Sequence, residues 1–186
     1  MVNILLVSHS YKLALGTAEL VRQMASSPDL SIRVAAGLGD DHKEIGTDAV
    51  EIMEALNELA KNNDVLVLMD LGSAVLSTEM ALQMLDEAVV ARVRMCPAPF
   101  VEGAIAAGVQ ANLGSSIQEV YDEAMGALAA KKQQILGEEA VESPVAPEIF
   151  MAEAETTDEG DRAAELQIRV TNPSGLHARP AALFIQ

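Results

Sequence analysis

Tryptophan is absent from this chain, and two tyrosines and three phenylalanines are its only aromatic residues. A core without large rings has to be built from Ala, Val, Leu, Ile and Met, and half of the residues are apolar, enough for one. A single cysteine, Cys96, rules out an internal disulfide and fits a reducing compartment. Positive charge is scarce too: twelve basic residues stand against 28 acidic ones, a net of −16. That balance argues against nucleic acid or an anionic membrane surface as a partner. No apolar stretch reaches membrane-spanning length, and the N-terminus lacks the basic region of a signal peptide, so a cytoplasmic protein is expected.

The 186 residues suit one domain with a tail, or one domain and part of a second. Residues 2–7 (VNILLV) and 65–69 (VLVLM) are continuously apolar, as strands buried on both faces are. Shorter strands are expected at 31–35 and 91–96. Between them, helical periodicity runs over 13–26, ending at Pro28, then from a Thr47 or Asp48 cap through Ala60, then over 76–87. Two more helices are expected at about 101–111 and 115–135. Alternation of strands with helices requires crossovers, which are right-handed. The predicted fold class is α/β: an open, mostly parallel four-stranded sheet with helices on both faces.

Composition divides the chain into three. Residues 1–137 hold eighteen acidic and nine basic residues. Residues 138–165 hold ten acidic residues and one basic, with Pro144 and Pro147 and few large apolar groups, and read as an acidic flexible linker. Residues 166–186 begin with an alternating strand (LQIRVT), a turn and the start of an Ala-rich helix.

Chemistry in an open α/β sheet sits at the carboxyl ends of the strands. His9 lies just beyond the first strand and Asp70 just beyond the third. If those strands are neighbours, in flavodoxin-like order, both side chains face one crevice. A carboxylate on one imidazole nitrogen fixes the tautomer and makes the other nitrogen an oriented nucleophile. Ser10 and the turn Asp70-Leu71-Gly72-Ser73 supply hydroxyls and backbone N–H groups suited to a phosphate, and Ser8 is a further candidate donor. A metal centre would need another ligand, and His42, in the loop GLGDDHKEIG, is the only other histidine of this part. A serine hydrolase would need a G-x-S-x-G elbow, which is missing. Cys96 at a strand end reads as a small buried residue. Neither a metal nor a cofactor is expected.

His177 stands in GLHARPAA, at a predicted helix N-terminus with Arg179 two positions on. Free N–H groups and a guanidinium there form a phosphate cradle around the ring. This octet resembles the phosphocarrier HPr of the bacterial phosphotransferase system, and implies a phosphohistidine at His177 stabilised by Arg179. It covers about a quarter of such a domain, and 21 residues are too few to fold unaided, so the segment reads as the truncated opening of an HPr-like domain.

Residues 1–137 resemble the mannose-type enzyme IIA fold through VSHS (7–10), IGTDA (45–49), MDLGSA (69–74) and APFVEG (98–103). A IIA domain, then a linker, then an HPr-like segment is similar to the DhaM family, the phosphotransfer subunits of phosphotransferase-dependent dihydroxyacetone kinase. The resemblance implies that His9 is phosphorylated, that Asp70 orients it, and that the protein is a homodimer. It further implies a phosphoryl path from phosphoenolpyruvate through enzyme I and HPr to His9. From there the group passes to ADP held by the nucleotide-binding kinase subunit, for phosphorylation of dihydroxyacetone. Two alternatives remain open on the residues: a IIA component feeding a sugar permease, and a regulatory module controlled by phosphorylation.

Overall fold

The apolar run at the start of the chain forms β1 (Val2–Ser8), and all seven of its residues are buried. The structure, a computed structural model, describes residues 1–136. After β1 come α1 (Tyr11–Met24), β2 (Ile32–Ala36), α2 (Ala49–Leu59), β3 (Asp64–Met69) and α3 (Gly72–Gln83). A short α4 (Glu87–Val90), β4 (Val93–Cys96), α5 (Phe100–Asn112), α6 (Ile117–Gly126) and α7 (Leu128–Leu136) complete the described part. The strands pair in the order β2-β1-β3-β4, all parallel. The linker expected at 138–165, the HPr-like segment at 166–186, and with it His177 and Arg179, lie outside the described residues.

Successive side chains of a strand point to opposite faces, and each face here has its own core. Ile4 and Leu6 of β1, with Leu66 and Leu68 of β3, pack against α1, α5 and α6. Leu5, Val7, Val65 and Val67 face the other way, onto Ile52, Ala55 and Leu56 of α2 and Ala74 and Ala81 of α3. Alanines line most of the helix faces, which lets backbones approach closely where aromatics are missing. The tightest approach is at Gly108 of α5, where an added Cβ would lie 2.2 Å from Val21 Cγ1 of α1.

Several element bounds differ from the sequence expectation. The first helix ends at Met24, well before Pro28, because Ala25 is already extended and the chain turns at Ser27. Proline disfavours a helical residue before it, and the Ser27 N–H donates instead to Asn112 Oδ1 at 2.7 Å. On α1 Leu13 and Met24 are exposed, and Thr17 is buried, its hydroxyl bonded back to Leu13 O. In α2 the buried positions are Ile52, Ala55, Leu56 and Leu59, while Val50 is exposed. Of its two candidate caps, Asp48 is the one used, accepting from Val50 N at 2.8 Å. The third helix starts at Gly72, not near residue 76, so the supposed turn Asp70–Ser73 leads directly into it. The long helix expected over 115–135 is broken between Gly126 and Leu128 into α6 and α7.

Candidate functional site

The parallel register sets Val7 of β1 opposite Met69 of β3. β3 ends at Met69 and β1 one residue later at Ser8, and both exits fall at the same edge. There the Asp70 N–H donates to Val7 O at 3.2 Å. His9 and Asp70 thereby meet: His9 Nδ1 lies 2.9 Å from Asp70 Oδ1.

Asp70 is held from four directions. Besides the imidazole, its carboxylate accepts from Leu71 N at 2.7 Å, from His9 N at 2.9 Å and from Ser8 Oγ at 2.9 Å. Burial pushes the Asp70 carboxyl up, but hydrogen bonds from the His9 ring and backbone, Ser8 and Leu71 together outweigh it. The group therefore titrates below the usual carboxylate range and is ionised at neutral pH. An ionised carboxylate only accepts, so the imidazole proton sits on Nδ1 and the lone pair on Nε2. Nε2 lies 2.6 Å from Ser73 Oγ on the first turn of α3, and that hydroxyl donates to it.

The His9 side chain keeps 17% of its surface exposed, Asp70 9%. The carboxylate is thus the more shielded of the two, while the contact between Nε2 and Ser73 lies at the surface. Backbone bonds fasten the rim: Gly46 N donates to His9 O at 3.0 Å and Gly37 N to Ser8 O at 3.3 Å. Gly37 has φ +75, and a Cβ there would stand 2.7 Å from His42 O. Only glycine accommodates both demands.

The predicted site residues do not all do what the sequence implied. His9, Asp70 and Ser73 converge, and Gly72 opens α3 with no atom near the position of a Cβ. Ser10 is the N-cap of α1, its hydroxyl accepting from Leu13 N at 3.4 Å. The expectation that Ser8 donates to a bound phosphate is corrected: Ser8 is fully buried, and its Oγ accepts from Ser10 N and donates to Asp70. Cys96 is fully buried, and burial pushes its thiol up. His42 lies on the loop at φ +52, with Nδ1 donating to Ala36 O at 3.1 Å and its ring stacked on Tyr11 at 4.8 Å. This stacking was missed; nothing in the sequence links two rings 31 residues apart, although Tyr11 follows VSHS directly. Among the described residues, no group of three or more His, Cys, Asp or Glu could hold a metal ion, and no helix is long and apolar enough to cross a membrane.

The family EIIA-man, described as the PTS system fructose IIA component, matches residues 3–121. The chain belongs to that family. It is 33% identical over 123 residues to the Listeria innocua "PEP-dependent dihydroxyacetone kinase 2, phosphoryl donor subunit DhaM", covering 96% of that relative and 66% of this chain. This places it with the DhaM members of EIIA-man. The DhaM of Klebsiella michiganensis is 43% identical over 185 residues, all of this chain, but the chain spans only 38% of that relative's length. Among solved structures, one described as the unknown-function protein EF1359 superposes with a TM-score of 0.60 at 36% identity, over 67% of this chain and 92% of that one. The open four-stranded parallel sheet flanked by helices is the EIIA-man fold expected from the sequence.

Proposed function

We propose that this EIIA-man chain is a phosphohistidine carrier in which His9 Nε2 is the phosphorylated atom. The supporting observation is the Asp70–His9–Ser73 line, with a protonated Nδ1 on a shielded carboxylate and an outward lone pair on Nε2. Phosphoryl transfer asks a protein mainly for positioning and charge stabilisation. When Nε2 attacks a phosphohistidine on the donor protein, the donor's P–N bond breaks and a new one forms on Nε2. The ring then carries positive charge, which the Asp70 carboxylate, 2.9 Å from Nδ1, offsets. Ser73 Oγ, no longer bonded to a lone pair, turns its proton to a phosphoryl oxygen, and the first N–H groups of α3 lie on the same side. Exposure of His9 lets donor and acceptor reach the same nitrogen in turn.

The DhaM relatives are named phosphoryl donor subunits of PEP-dependent dihydroxyacetone kinase, and the carrier here takes that role. Enzyme I and HPr supply the phosphoryl group in the cytoplasm. The acceptor is ADP on the nucleotide-binding subunit of the kinase, and the protein works as a homodimer. The 1–137 domain does this transfer, the acidic 138–165 segment is the linker, and the HPr-like 166–186 segment carries His177 with Arg179 as its phosphate-stabilising partner. The test is a chase. Protein labelled from phosphoenolpyruvate should lose its label to ADP on the nucleotide-binding subunit within one mixing experiment. Label that stays on the protein under those conditions removes the kinase role and leaves only a carrier feeding another acceptor.

A further inference from the structure

We propose that the cavity between the first turn of α1 and the loop 37–46 receives the diphosphate end of the nucleotide presented by the acceptor subunit. This rests on the carrier reading above and adds a binding site for the acceptor's own substrate. The cavity has a volume of about 560 Å³ and is lined by Ser10, Tyr11, Lys12, Asp41, His42, Lys43 and Ile45. Ser10 follows His9 in the chain and Gly46, next to the lining residue Ile45, donates to His9 O, so the cavity adjoins the His9 backbone, while the imidazole itself faces Asp70 and Ser73.

Its charge is the opposite of its surroundings. Hollows of about 480 and 330 Å³ elsewhere are lined by Asp70 and Glu79 and by Glu102 and Glu123, and one of about 290 Å³ that shares His42 with this cavity is lined by Asp40, Asp48 and Glu51, with no lysine or arginine in any of the three. A domain with twice as many acidic as basic residues places two of its nine cations on this one cavity. Lys43 is paired with Asp41 in an exposed bridge that solvent screens and a stronger anion displaces. Lys12 has no ion-pair partner among the described residues.

The position of Lys12 is itself informative. It sits in the first turn of α1, where the helix dipole disfavours a cation and where no acidic residue is present. There it adds to the positive end of the helix, an arrangement unfavourable for the helix alone and favourable for a bound anion. The stacked rings of Tyr11 and His42 form a flat wall that holds the loop against α1.

An acceptor needs such a site because the reactants repel. A β-phosphate oxygen of the nucleoside diphosphate must approach a phosphorylated Nε2 that already carries negative oxygens. As its O–P bond forms, the P–N bond breaks and the electron pair returns to Nε2, restoring the neutral Nδ1–H imidazole and leaving a triphosphate on the acceptor. No proton has to move. Two lysines beside the path offset the accumulated charge without touching His9.

The experiment uses the full chain, phosphorylated from phosphoenolpyruvate, enzyme I and HPr, and mixed with the ADP-loaded nucleotide-binding subunit. Lys12→Gln with Lys43→Gln should slow transfer to ADP by about tenfold or more, while uptake from phosphorylated HPr changes by less than about twofold. Lys12→Arg with Lys43→Arg should restore transfer, which a merely structural role for the lysines would not predict. Transfer that stays within about twofold of the unmodified rate overturns the proposal. So does a parallel loss of uptake, which assigns the cavity to the incoming donor protein. Absence of transfer from the unmodified protein overturns the kinase role and this site together.

Discussion

At the scale of single residues, the account turns on which atom does what around one imidazole. Asp70→Asn replaces an acceptor-only carboxylate with a group that can also donate, so Nδ1–H loses its assured partner. Transfer through His9 should slow by about 10–100-fold with the fold intact, measured as the rate of label uptake from phosphorylated HPr. The pH dependence follows from the same carboxylate. Its folded pKa lies below the ordinary value, so its contribution to stability is full above the ordinary carboxylate pKa. That contribution is lost only as pH falls through the lower folded value. Acid unfolding should therefore show the wild type losing stability relative to Asp70→Asn on the acid side of the usual carboxylate range, and not near neutrality. His9, Asp70 and Ser73 were legible in the sequence because each follows an apolar run that ends in polar residues, and strand ends are where open sheets place chemistry. The distinct jobs of Ser8 and Ser10 were not legible. Two serines flanking a histidine look alike on paper, and only the turn out of β1 sends one to the carboxylate and the other to the cap of α1.

At the scale of elements, the strands were readable and the helix bounds less so. Continuous apolar runs have one economical use in an α/β chain, burial on both faces, so β1 and β3 appeared nearly residue for residue. Gly72 and Ser73 read as turn formers, which hid the true start of α3, and four residues were too few to betray α4 by periodicity. The close approach of α1 and α5 leaves a signature that mutation can check. Gly108→Ala drives a methyl group into Val21 Cγ1 and should destabilise the domain by about 1–3 kcal/mol, read from denaturant unfolding. Asp48→Ala removes the bond to Val50 N and should cost about 1 kcal/mol in the same measurement. The two sites sit on opposite sides of the sheet, so the double variant should show the sum of the two losses.

At the scale of the whole molecule, the sheet order β2-β1-β3-β4 brings the ends of β1 and β3 together, and every feature of the site depends on that adjacency. The order entered the sequence reading only as a condition, that the first and third strands be neighbours in flavodoxin-like order; composition and periodicity could establish parallel strands but not which of them are neighbours. Residues 138–165, ten acidic against one basic, carry about half of the chain's net charge. Removing 138–186 should leave uptake at His9 unchanged within about twofold when HPr is supplied separately, since the site is built from Ser8, His9, Asp70, Leu71 and Ser73, all at the ends of β1 and β3 and the start of α3. The most direct test of the central claim is phosphorus NMR of the full chain after incubation with phosphoenolpyruvate, enzyme I and HPr. The account predicts an acid-labile phosphohistidine substituted at Nε2 that disappears in His9→Ala and persists in His177→Ala. A signal that survives in His9→Ala, or a phosphoryl group on Nδ1 of His9, would contradict it.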